Sequence, residues 1–300
     1  MRVFVTGGSG QTGPAVVTEL IAAGHTVTGL ARSDNSAGKL RALGAAVRRG
    51  SLDDLDSLRR GAAEADAVLH MGYGGDFARP EEMMRRDVKA IDTFGRALEG
   101  SGRPLVITSG TLVMPLGRTS DETDEPLADG IAGFRVAGER AALAFAERGV
   151  RAGVVRLAPT VHGPRDHGFI PMLIATARTT GVSAYVGDGS NRWPAVHRQD
   201  AAVLFRLAVE EAPAGSVLHG VAETGVRFRS IAETIGRGLG LPTASLSEQE
   251  AATHYANPFL GMLYGVDAPA DSSRTRRLLG WAPVREGLLH DLEHGDYLHG

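Results

Sequence analysis

Residues 6–13 read TGGSGQTG and follow directly on the apolar start MRVFV. Four glycines fall within seven residues, and three of them, Gly7, Gly10 and Gly13, recur at every third position. A β-branched run precedes them, and a helical pattern from Thr12 to Ala23 follows. In a strand–turn–helix context the spacing G-x-x-G-x-x-G predicts a dinucleotide site. Gly7 permits the tight turn, Gly10 lets the backbone approach a pyrophosphate, and Gly13 lets helix and sheet pack closely. The positive end of the helix then faces the phosphates, with Gln11 and Thr12 in the same contact set. A merely flexible turn is the alternative, and the flanking strand and helix argue against it.

The first half of the chain repeats that alternation. Short β-branched runs at Val3–Thr6, Thr26–Leu30, Ala46–Arg48, Ala67–His70, Leu105–Thr108 and Gly153–Leu157 read as strands. Helical patterns at Thr12–Ala23, Leu55–Arg60, Glu81–Leu98 and Phe134–Glu147 lie between them. Such alternation predicts βαβ units and a doubly wound, Rossmann-like α/β sheet. After Leu157 the pattern becomes irregular. APTVHGPRDHGFIP and VGDGSNRWPAVHRQD read as loops, and Ala201–Glu210, Ser230–Gly238 and a segment near the C-terminus read as helices. The expected organisation is a dinucleotide-binding domain over 1–157, completed by 197–222. Segments 158–196 and 223–300 then form a smaller, substrate-binding lobe over the carboxyl ends of the strands.

The second strand runs out as TGLARSD. NAD sites carry an acid here for the ribose hydroxyls, whereas NADP sites place an arginine nearby for the 2′-phosphate. The acid is absent, Arg32 and Ser33 stand at the position, and Asp34 comes two or three residues late. NADP(H) is therefore the expected cofactor, a solvated surface cation being the plainer reading of Arg32.

Composition closes off other classes. The chain has 300 residues, 43% of them hydrophobic, with a formal net charge of −3. No overall field favours nucleic acid or anionic membrane, and basic residues are not interleaved with aromatics. With no cysteine there are no disulfides, thiolate metal sites or cysteine nucleophiles. No apolar run reaches the roughly 18 residues of a membrane span, and no signal-peptide pattern opens the chain, so a cytoplasmic protein is expected. His290 and His294 are spaced to share a metal, but no third ligand stands at a defined spacing, and no metal is expected.

TGGSGQTG, ADAVLHMGYG, PLVITSGT, VVRLAPTVHGP and NRWPAVHRQDAA together resemble the short-chain dehydrogenase/reductase superfamily, in its extended, epimerase/dehydratase-like form. The resemblance covers nearly the whole length and is closest to an atypical subgroup with poorly kept catalytic residues. It implies that Gly72 and Thr108 join the cofactor wall and that Ser109, on the fifth strand, polarises the reacting oxygen. Thr111 could share that task. It also implies a Tyr-x-x-x-Lys pair on the next long helix, in which the cation lowers the tyrosine pKa. Phe134 and Gly138 stand at those two places, so the usual acid/base pair is missing. Asp87 falls where the superfamily has an active-site asparagine. Tyr73, beside the expected nicotinamide, is the first candidate proton donor. His162 and His167 also stand near the expected site. Arg135 and Glu139, four apart, read as a surface ion pair, with a pocket role left open by the resemblance. Phe134, Arg135, His167, Phe169 and Trp193 are the further candidate substrate contacts, among aromatics that include Tyr255, Phe259 and Tyr264.

The expected activity is an NADPH-dependent reductase of a small, largely apolar carbonyl, imine or enone. The alternatives are a non-catalytic NADP-binding redox sensor or partner-binding protein, and a nucleotide-sugar epimerase or dehydratase. A homodimer through the helices 81–98 and 134–147 is common in the superfamily.

Overall fold

The computed structural model describes residues 1–74 and 79–298. The first half alternates as the hydrophobic pattern dictates. It runs β1 (Arg2–Thr6), α1 (Gly13–Ala22), β2 (Thr26–Ala31), α2 (Asp34–Ala42), β3 (Ala46–Arg49), α3 (Leu55–Glu64), β4 (Ala67–His70), α4 (Pro80–Leu98) and β5 (Pro104–Gly110). Then come α5 (Val136–Leu143), β6 (Arg151–Leu157), β7 (Thr160–His162), α6 (Phe169–Thr180), β8 (Ser183–Val186), β9 (Arg192–His197), α7 (Arg198–Glu211) and β10 (Ser216–Gly220). The chain closes with β11 (Glu223–Arg227), α8 (Phe228–Leu239), β12 (Thr243–Leu246), α9 (Glu248–His254), α10 (Pro258–Leu263), α11 (Ser273–Leu279) and α12 (Leu288–His294).

Seven strands form one parallel sheet in the order β10-β6-β5-β4-β1-β2-β3. The order reverses at β1, so β2 and β3 run to one side of the first strand and β4, β5 and β6 to the other. Helices cover both faces, as parallel strands require. Val16, Val17, Leu20, Leu204 and Phe205 belong to one apolar layer, and Leu58, Ile91, Phe94 and Phe145 to the other. The later segments add a three-stranded sheet, β11-β9-β7, and a pair, β12-β8, around a separate apolar cluster.

The structure corrects the reading of the second half. The stretch read as irregular after Leu157 holds β7 and α6, and the loop-like stretch 186–200 holds β9. Proline cannot donate to a ladder and is expected on edges or at bulges. Pro194 nonetheless lies in the middle strand of its sheet, where the pairing with β11 shifts register between Glu223 and Val226, opposite Ala195 and Trp193. The helix expected over 134–147 is also broken. Residues Gly133–Arg135 and Ala146–Arg148 wind as 3-10 turns on either side of α5.

Candidate functional site

At the end of β1, Gly7 has φ +72°, and a Cβ there would stand 2.6 Å from the Gly72 nitrogen. A Cβ on Gly13 would stand 2.3 Å from the Gly7 carbonyl oxygen. Gly10 N–H donates to that same carbonyl at 2.9 Å and closes the turn. The residue before α1, Thr12, makes no side-chain cap, so the first amides of the helix point outward without a side-chain acceptor. That is the arrangement in which a helix start holds an anion.

A cleft of about 570 Å³ opens over this turn. Gly7, Gly10, Gln11, Thr12, Gly13, Arg32, Gly72 and Thr108, the expected cofactor contacts, all line it. Ser33 does not. Its hydroxyl accepts from Ser36 N–H at 3.2 Å and caps α2, and Ser36 stands in the wall instead. Arg32 is exposed and makes no ion pair with any described residue, whereas Asp34 is committed to Arg49. Gln11 lines the cleft while binding a distant segment: its amide nitrogen donates to Asp166, and its oxygen accepts from His167 N–H at 3.1 Å.

Beyond the turn the cleft ends at Tyr73, Thr108 and His167. The Tyr73 hydroxyl is buried without a geometric hydrogen-bond partner among the described residues. The Arg135 guanidinium lies 3.7 Å above the Tyr73 ring, and the Phe134 ring stacks on it at 6.1 Å. Burial pushes the Tyr73 pKa up, against the Arg135 charge, with Asp87 adding to the rise. Arg135 does not pair with Glu139, as expected of a surface pair. It donates to the Thr108 carbonyl, and Glu139 is fully buried against Arg156, with contacts of 2.7–3.2 Å.

Successive strand residues face opposite sides, and on β5 this decides between two hydroxyls. Thr108 lines the cleft, whereas Ser109, the expected polariser, does not line it and sits across from Arg156 of β6; both hydroxyls are buried without a partner among the described residues. Thr111 is buried in the turn that follows, its hydroxyl also unpartnered. His162 is away from the cleft: its Nδ1 meets Asp291 at 2.8 Å and its ring abuts His197. Trp193 and Phe169 pack edge to face at 5.5 Å within the aromatic core of the later segments, together with Tyr264. Tyr255 joins that core, while Phe259 and Met262 are exposed on α10. His290 and His294 stack on each other, and the described residues hold no cluster of three potential metal ligands. Among the described residues no helix is long and apolar enough to cross a membrane.

Behind Tyr73 stands Asp87, which the sequence singles out, together with two groups it does not, Thr6 and His70. Gly72 N–H donates to Thr6 Oγ1 at 3.1 Å, Thr6 Oγ1 meets His70 Nδ1 at 2.6 Å, and His70 Nε2 meets Asp87 Oδ1 at 3.0 Å. All three side chains are buried. The only hint of Thr6 and His70 was a histidine ending an otherwise apolar strand.

A family model described as NAD dependent epimerase/dehydratase family matches residues 3–219. The chain is 45% identical to an uncharacterized protein of Schizosaccharomyces pombe, over 99% of this chain and 100% of that one. It is 28% identical to the 4-hydroxy-2-methyl-3-oxo-4-farnesyl-3,4-dihydroquinoline-1-oxide ketoreductase of Stigmatella aurantiaca, over 97% and 89%. In fold it is similar to the dTDP-glucose 4,6-dehydratase DesIV of Streptomyces venezuelae (TM-score 0.79, 20% identity, 98% and 95% coverage).

Proposed function

The chain belongs to the NAD-dependent epimerase/dehydratase family, and on that premise we propose that it is an NADPH-dependent reductase of a small carbonyl compound. The observation that carries this is the cleft itself, which runs from Arg32, without an ion pair among the described residues, across the glycine turn to Tyr73 and Thr108, whose hydroxyls are buried without a partner among those residues. The residues fit a dinucleotide. Gly7 and Gly13 leave no room for a Cβ, the open start of α1 suits a pyrophosphate, and Arg32 suits a 2′-phosphate. With the pyrophosphate at the turn after β1, the β2 side takes the adenosine half and the β4–β5 side takes the nicotinamide half.

When bound, the reduced dinucleotide supplies the hydride that reduces the acceptor carbon. Tyr73 supplies the proton to the acceptor oxygen: burial keeps the phenol protonated, against the pull of the Arg135 guanidinium. Thr108 Oγ1 takes the polarising role expected of Ser109, because it is the β5 hydroxyl that lines the cleft. Arg135 fixes the Tyr73 ring from above and is itself fixed by the Thr108 carbonyl. A nucleotide-sugar epimerase or dehydratase is less well supported, because Phe134 and Gly138 offer neither the phenol nor the cation that such chemistry leans on. The ketoreductase named among the relatives points the same way.

The test is calorimetric titration with NADPH and NADH, followed by NADPH consumption on a carbonyl panel. Preference for NADPH that weakens in Arg32→Ala, with turnover that falls in Tyr73→Phe, is the expected result. Binding of neither nucleotide would overturn it.

A further inference from the structure

Behind the Tyr73 end of the cleft lies a hydrogen-bond chain that runs from the backbone to a buried acid. It begins at a group that can only donate, the Gly72 backbone N–H, so Thr6 Oγ1 accepts there. The Thr6 hydroxyl proton is then free to go to His70 Nδ1, 2.6 Å away. His70 Nε2 in turn meets Asp87 Oδ1 at 3.0 Å, so the chain ends on the Asp87 carboxylate.

The second carboxylate oxygen has a place made for it. A Cβ on Gly138 would stand 2.6 Å from Asp87 Oδ2, so any side chain at 138 would displace the acid. Where a cation would complete the usual pair, this site carries a buried anion. Asp87 is 4% exposed, which leaves little solvent to screen it. The Arg135 guanidinium, above the Tyr73 ring, is the nearby charge of opposite sign, and it is only half-buried. Both charges are felt at Tyr73, with Asp87 raising and Arg135 lowering its pKa.

We propose that Asp87 sets the redox preference of the bound dinucleotide, favouring the oxidised nicotinamide with its positive ring over the neutral reduced ring, and that Arg135 opposes it. This rests on the dinucleotide reading of the cleft. Charge near a cofactor's reactive ring is one of the means by which a protein tunes its electronics. Here the buried anion outweighs the solvent-screened cation, and the tilt makes the reduced cofactor the better hydride donor.

The experiment needs no substrate. Dissociation constants for NADP⁺ and NADPH are measured on the wild type, D87N and R135Q. Asparagine keeps the shape and an oxygen to accept from His70, so D87N removes the charge alone; its melting temperature checks the fold, and Asp87→Ser serves if the amide is not accommodated. The ratio Kd(NADP⁺)/Kd(NADPH) is expected to rise by about tenfold in D87N, the size of effect a buried charge at this depth produces. In R135Q it should fall by about two- to threefold, the smaller shift of a screened charge. An unchanged ratio, equal weakening of both forms, or shifts of the same sign in the two variants would overturn the inference and leave the reductase reading standing. A wild type that binds neither form overturns that reading, and the inference with it.

Discussion

The Gln11 side chain, inside the glycine turn, is bonded to Asp166 in the segment between β7 and α6. Asp166 also accepts from Gly168 N–H at 2.7 Å and from the Tyr297 hydroxyl at 2.8 Å. Tyr297 in turn accepts from Gly163 N–H at 3.0 Å. The turn expected to hold pyrophosphate is thus tied through one carboxylate to the cleft-lining segment around His167 and to the end of the chain. Arg165, in the same segment, adopts φ +62°, a conformation uncommon for a side-chain-bearing residue.

Asp166→Ala should therefore loosen that tie without touching the glycines. NADPH should dissociate at least about tenfold faster, the effect of losing a charge-assisted hydrogen bond worth about 1.5–3 kcal/mol. Stopped-flow displacement of bound NADPH measures this. An unchanged off-rate would show that the segment does not hold the nucleotide in.

The buried pair Glu139–Arg156 should behave as a structural unit. Its side chains are 1% and 3% exposed, and breaking one partner of a buried pair strands the other charge. Glu139→Ala should cost about 3–5 kcal/mol in denaturant unfolding. Glu139→Leu combined with Arg156→Met should recover much of that loss, because well-packed apolar residues remove both charges together.

Local pattern carried the reading of β1, the turn and α1, since a glycine spacing and two flanking periodicities are contiguous in the chain. Asp87 is legible as a site position, but its partners behind Tyr73 are not. Thr6 and His70 meet because β1 and β4 pair in parallel at that register, and Asp87 reaches them from α4, so no short spacing records the chain. Arg135 was read as a helical partner of Glu139 because the helix was expected to begin at 134. The 3-10 turn over 133–135 sends it to Thr108 instead. Thr108 and Ser109 are adjacent hydroxyls, and only knowledge of which face of β5 meets the cleft separates them.

Stability should fall as the pH drops from 7 to 5. His219 is buried, and its Nδ1 donates to the Asp271 carbonyl at 2.8 Å while Nε2 has no partner among the described residues. Burial lowers its pKa, and burial lowers that of His197 as well. The unfolded chain takes up these protons near pH 6.5, while the folded chain does so only at lower pH. Below about pH 6.5 the unfolded state therefore binds more protons, so the stability is fully present above that pH and is lost as the pH falls toward the folded values. Melting temperatures at pH 5.5 and 7.5 should show the drop, and His219→Asn should flatten it. An equal slope in that variant would place the titration elsewhere.

Tyr73→Phe separates chemistry from fold. The ring would keep its contacts with Arg135 and Phe134, because both lie against its face. The hydroxyl is buried without a geometric hydrogen-bond partner among the described residues, so deleting it costs the fold little. Thermal stability should be nearly unchanged, and NADPH affinity should be kept. Carbonyl reduction should fall by about 10²–10⁴-fold, the usual contribution of a positioned proton donor. A variant that reduces its acceptor at the wild-type rate would move the proton donation to solvent or to His167, the histidine in the cleft wall.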